Sequence, residues 1–199
     1  MQDVSGLTGL TFGKEGLTAG LVTHTDWNVD GPISIYTTNG TIVNADLNTG
    51  SSGADVLVKS EGRIEVDSGD VATSSGNVLL WANSNDDDDG MVFLDTTNIT
   101  TNGGHLWVGG GAQRGTEWNG LAVGDGYAVG DAVSANGISI ISSTLDTDGG
   151  DIAVYGMSRE GLGTPPGGNT NGIRILNGNT IDSGTGTIFM KGVARGIDS

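Results

Sequence analysis

A chain of 199 residues with 37 glycines, 3 prolines and no cysteine carries a formal net charge of −16, from 24 acidic and 8 basic side chains. Such a surface repels phosphate backbones and anionic lipid headgroups, so neither nucleic-acid binding nor membrane insertion is expected; no apolar run reaches membrane-span length, and no disulfide or thiol chemistry is available. The glycines follow no every-third-residue rule, which excludes collagen, and the hydrophobic residues, 35% of the chain, fall in regular two-apart pairs that a disordered tract has no reason to keep.

Residues 1–31 are the least regular. They are turn-rich, with scattered leucines, and Leu21, Trp27 and Val29 are the material of one further coil. This segment is expected to be a cap or an incomplete first coil, because the ends of a repeat stack are atypical. The start, Met1-Gln2-Asp3-Val4, lacks the basic-then-apolar order of a signal peptide. The close, Ala194-Arg195-Gly196-Ile197-Asp198-Ser199, reads as a cut inside a coil, so a fragment of a longer protein is expected.

From Pro32 onward, residues 32–199 read as β-solenoid repeats. A first strand gives apolar pairs two residues apart: Ile33 and Ile35, Val56 and Val58, Val78 and Leu80, Leu106 and Val108, Ile152 and Val154, Ile188 and Met190. A second strand gives Ile64 and Val66, Val92 and Leu94, Ile138 and Ile140, with Ile42 as the counterpart in the coil before them. Ile173 and Ile175 continue the series, followed by one extra residue that predicts a bulge. A third strand gives one apolar residue and then Ser or Thr: Leu47 and Thr49, Val71 and Thr73, Ile99 and Thr101, Leu145 and Thr147, Ile181 and Ser183. One or two glycines close each coil.

Two-apart spacing places these residues on one face of a strand. Three strands per coil, with Gly, Asn and Asp at the bends, predict an all-β, three-sided β-solenoid of about six coils. Its hydroxyl file is expected to bond within itself or to corner backbone. Inserts gather at one corner, between the first and second strands: a short one at 83–90 and long ones at 109–136 and 156–171. A sandwich would also show many short strands, but it does not require the same three-part order to recur. A calcium roll of tandem nine-residue repeats is disfavoured because its GGxGxDxUx pattern is absent.

The phrases LLWANSNDDDDGMVFLDTTNITTNGGHLWVGGG and SEGRIEVDSGDVATSSGNVLLWA resemble the repeats of filamentous-haemagglutinin-like adhesins and of the wider set of bacterial β-strand-repeat surface proteins. The resemblance covers about residues 25–199. It implies a right-handed parallel β-helix, export to the cell surface and a role in attachment or surface architecture. Host or environmental glycans or proteins, and neighbouring coils or copies of the parent protein, are the partners expected on that basis.

Candidate sites are few. Asn85, Asp87 and Asp89, followed by Gly90, fit the opening of a calcium loop, D-x-[DN]-x-[DN]-G, since alternating oxygen ligands on a tight turn can meet a hard cation. The twelfth position is Thr96 rather than Glu, so a solvated acidic turn is the competing reading, and calcium is the only cofactor considered. Asp146, Asp148 and Asp151 form a second acidic corner.

The outward positions of the first strand are unusually apolar. Tyr36, Trp81, Trp107 and Tyr155 could form an interface or a platform for sugar rings. Cover by the neighbouring inserts is the favoured alternative, because burying aromatic area is the larger energetic gain.

No catalytic residue is assigned. His24 and His105 are the only histidines, and His105 opens a strand just after a turn. Gly172-Ile173-Arg174-Ile175 resembles an active-site strand of pectin-degrading β-helices, but the carboxylates such an enzyme needs do not line up beside it, and Arg174 is expected to face solvent.

Overall fold

The computed structural model describes residues 6–160 and 170–195, and among these it contains strands, turns and bends but no helix. The strands assemble into three parallel walls. The first wall stacks Leu10–Phe12, Ile33–Thr37, Val56–Ser60, Val78–Trp81, Leu106–Gly109, Ile152–Met157 and Ile188–Val193 in that order. The second stacks Leu21–Thr23, Thr41–Val43, Ile64–Asp67, Val92–Asp95, Ile138–Ile141 and Ile173–Leu176. The third stacks Trp27–Val29, Leu47–Ser52, Val71–Ser74, Asn98–Thr100, Thr144–Asp146 and Thr180–Asp182. This is the three-sided parallel β-helix expected from the pattern, with six strands in each of the second and third walls.

The core follows from the register. On the first wall Ile33, Val56, Val78, Leu106 and Ile152 lie in one file and Ile35, Val58, Leu80, Val108 and Val154 in the next, all buried. Files from the other two walls meet them in a single apolar cluster. Burial of each such side chain is worth about 1.5–3 kcal/mol relative to exposure.

The hydroxyl file bonds to corner backbone. Thr49 donates to the Ala54 carbonyl at 2.9 Å, Thr73 to Gly76 at 2.6 Å and Ser183 to Gly186 at 2.8 Å, with Thr101 and Thr147 doing the same to Gly104 and Gly150. Each hydroxyl therefore satisfies a carbonyl that leaves the wall at the bend. The paired glycines there have separate tasks. Gly103 takes a φ of +102°, which a side chain disfavours. Gly104 has an ordinary φ, but a Cβ on it would overlap the Gly76 carbonyl of the coil before; Gly150 stands in the same relation to Gly104.

Within residues 6–31, Leu10–Phe12, Leu21–Thr23 and Trp27–Val29 supply one strand to each wall, with Leu21, Trp27 and Val29 in the first coil as expected. Several expectations for other residues are corrected. Ile42 pairs with Glu65 on the outer face, while Thr41 and Val43 point inward and are buried. In the short run Thr-Ile-Val, alternation alone does not fix which face is inner; the stacking on Ile64 and Val66 does. Ile173–Leu176 pairs without a bulge, and the extra residue sits in the corner, where Asn177 and Gly178 both have positive φ. A register shift falls instead between Asn48 and Ser52.

The long insert lies between the first and second walls, as expected, but it leaves from within the wall strand. Leu106–Val108 pairs with Ile152–Val154; the chain then departs, and Ala128–Val129 returns to pair with Gly156 and Met157 of the same neighbour. One wall position is thus filled by two pieces of chain. The Pro165-Pro166 part of the 156–171 insert lies outside the described residues.

The Gly104 contact gives a direct test. Gly104→Ala should cost about 1–3 kcal/mol by overpacking backbone against backbone, measured as a lower urea midpoint at unchanged slope.

Candidate functional site

The outer face of the first wall is where aromatic residues accumulate. Trp81 and Trp107 are 2% and 1% exposed. They pack with Leu79 and Ala153 beneath Trp118, Leu121 and Val123 of the insert. Within the insert, Glu117–Trp118 and Leu121–Ala122 form a small antiparallel hairpin that lies against the wall. The Trp81 indole N–H donates to the Gly111 carbonyl at 2.7 Å, so its polar edge is satisfied under the cover. Below it the Lys59 ammonium sits 4.1 Å from the Trp81 ring centroid and 2.6 Å from Glu15.

Cover by the insert therefore accounts for Trp81 and Trp107, and a four-residue sugar platform is not presented. Tyr36 stays half-buried on its own, in register with Lys59. Tyr155 keeps an exposed edge and joins a different group. Its ring centroid lies 6.4 Å from Trp107, 6.3 Å from Tyr127 and 5.4 Å from Phe189. A cleft of about 240 Å³ opens there between insert and wall, lined by Trp107, Trp118, Tyr127, Tyr155, Glu117 and Lys191 among others. Trp118 and Tyr127 lie in the insert, outside the wall repeat; Tyr127 falls in its strand-like stretch GLAVGDGYAVGDAV, which did not by itself mark a cleft.

The hairpin is fastened by a polar file at the bend before the first wall. The Asp55 side chain accepts the Asn77 N–H at 2.7 Å, and Asn77 accepts the His105 N–H at 2.9 Å. His105 Nδ1 accepts the Asp151 N–H at 2.9 Å, and Asp151 accepts the Thr187 N–H at 2.7 Å. His105 Nδ1 is thus placed as an acceptor toward the Asp151 backbone. Its ring meets Trp118 edge-on at 5.5 Å, and the Asn119 amide donates to Asp151 at 2.7 Å. His105 and Asp151 thus tie hairpin to stack. His24 is exposed, and Arg174 projects outward beside Ser139.

The acidic turn is laced to three arginines from distant segments. Arg114 pairs with Asp86 at 2.7 Å and Asp125 at 2.8 Å, Arg195 with Asp88 at 2.9 Å, and Arg159 with Asp89 at 3.7 Å. Asp87 accepts the Asn85 amide at 2.9 Å and the Asp89 N–H at 3.2 Å, one on each carboxylate oxygen. Burial pushes the Asp89 carboxyl above its ordinary range; Arg159 opposes this, and Asp131 and Asp87 add to it. Among the described residues no three His, Cys, Asp or Glu side chains gather as metal ligands. The Asn85, Asp87 and Asp89 set is occupied with the turn and its arginine.

A second ion pair went unread in the sequence. Arg63 grips Asp131 with two bonds, at 2.8 and 3.1 Å, and reaches Glu65 at 3.1 Å. Asp131 also accepts the Val133 and Ser134 N–H groups, both at 2.8 Å. The pair pins the end of the insert across two coils.

Together these features define a three-sided β-helix with a hairpin mounted on one wall. Comparison of the chain with protein families, with characterised proteins and with solved structures finds no match.

The bonds from the Thr187 N–H and the Asn119 amide hold the Asp151 carboxyl below its ordinary value. A lowered carboxylate stabilises the fold above its unfolded-state value, about 3.9, and that stability is lost as pH falls through the lower native value. Asp151→Asn should therefore lower the urea midpoint at pH 7, and its difference from the parent should shrink as the pH falls below the ordinary aspartate range.

Proposed function

We propose that this chain is a non-catalytic β-solenoid rod belonging to a bacterial cell-surface or filament protein, and that it serves attachment or spacing. The observation that carries the reading is the continuity of the stack. All three walls stay paired from coil to coil, with one register shift in the third wall between Asn48 and Ser52, and the insert is accommodated by splitting one wall strand rather than breaking the pairing. A rod built this way has its backbone bonds between coils along its length, and it can vary its inserts without disturbing its core.

Two further observations support it. His105 and Asp151, which touch the hairpin, are engaged by backbone N–H groups and Asn119 rather than left free for proton transfer. Ile175 and Ile188 leave apolar surface exposed on the last strands of the second and first walls, and neighbouring coils or copies of the parent protein are the partners proposed for it. Host or environmental glycans or proteins are the partners proposed for the insert face.

Antibodies against the chain should label intact producing cells. The purified chain, screened against glycans and matrix proteins with and without calcium, should release no new sugar ends from any polysaccharide. Labelling that needs permeabilised cells would sink the surface assignment, and released sugar ends would sink the non-catalytic one.

A further inference from the structure

We propose that the cleft between the hairpin and the first wall is a sugar-binding subsite that takes one pyranose ring of a neutral glycan. The inference deepens the attachment reading and rests on it only for where the glycan comes from.

The site is built rather than incidental. Its floor is Trp107, closed from solvent on the other side by the core wall and flanked by Val123. One side is Trp118, held edge-on against His105, whose own position is fixed by the file of backbone bonds. The other side is Tyr155 with Tyr127, two rings crossed at 71°. Trp118, Tyr127 and Tyr155 are each half-buried, so each is anchored by packing and still presents an edge to the cleft. Rings already fixed in place lose little freedom when a ligand arrives.

The polar groups at the mouth select the ligand. The Lys191 ammonium lies 5.4 Å from the Tyr127 ring centroid and is exposed, as is Glu117. Asp125 also lines the cleft, but its carboxylate is paired with Arg114. The cleft thus offers aromatic surface together with the Glu117 carboxylate, the Lys191 ammonium and the hydroxyls of Thr116, Tyr127 and Tyr155. A pyranose matches this mixture, having an apolar C–H face and hydroxyls that both donate and accept. A purely apolar ligand would leave Glu117 and Lys191 to be dehydrated without partners. An anionic ligand would enter beside Glu117 on a chain of net charge −16.

Calorimetric titration of the full chain would use lactose, cellobiose and diacetylchitobiose as neutral probes and sialyllactose as an acidic one. At least one neutral sugar should bind, with the acidic one no tighter. Trp118→Ala and Tyr155→Ala should each weaken binding by roughly tenfold. Tyr155→Phe should stay near the parent, since it keeps the ring, and Tyr36→Ala, outside the cleft, should leave binding unchanged. Far-UV circular dichroism identifies any variant that fails to fold, and Glu117→Gln, an exposed change, then serves as the substitute and should weaken binding severalfold. No binding of any neutral probe at millimolar concentration would overturn the proposal, as would tighter binding of sialyllactose. Neutral-sugar binding indifferent to folded cleft variants would do the same. Capture of a matrix protein by a chain that binds none of the sugars would overturn the subsite while leaving the attachment reading standing.

Discussion

Each coil must repeat the path of the coil beneath it, because the wall N–H and C=O groups find their partners at the same positions one coil away. Parallel strands hold those groups about 4.8 Å apart, and most else follows from that spacing. Side chains of one type fall into files, so one aliphatic residue fixes what its neighbours above and below can be. At the bends the backbone of successive coils comes so close that Gly76, Gly104 and Gly150 have no room for a Cβ. Where carbonyls turn out of the walls, a Thr or Ser in each coil supplies the missing donor.

The same constraint decides where the molecule can vary. An insert is tolerated only if the chain returns to the position it left. Ala128–Val129 does this on the strand that Leu106–Val108 began. The excursion is then held at both ends: by His105, Asp151 and Asn119 at the hairpin, and by the Arg63–Asp131 pair where it rejoins the second wall. The Arg63–Asp131 pair is partly buried and held by two bonds, which is where charge contacts count for most; the exposed Asn119–Asp151 bond and the exposed pairs of the acidic turn contribute less, because solvent screens them.

The acidic turn and the aromatic wall show two ways of managing an awkward surface. Four consecutive aspartates repel one another, and arginines from three separated segments converge on them. The outward side chains Leu79, Trp81 and Trp107 would together be an adhesive patch, and the hairpin covers most of it. What remains open beside that cover is the cleft lined by Trp118, Tyr127 and Tyr155.

The sequence by itself determined the strands, the three-wall order and the inner files, because two-apart spacing is a property of a single strand and needs no knowledge of its neighbours. It also placed the Thr and Ser file and the glycine corners. Where a strand is short the local pattern ran out. Ile42 alternates with two residues that can each face inward, and only stacking on Ile64 and Val66 settles it. The fate of Trp81 and Trp107 was decided by Trp118, Leu121 and Val123 of the insert, which lie outside the recurring three-strand series. Asn77, His105 and Asp151 lie 28 and 46 residues apart in sequence yet share one file of hydrogen bonds. Local periodicity reports the conformation of a strand, whereas cover, clefts and ion pairs depend on which distant segments the stacking brings together.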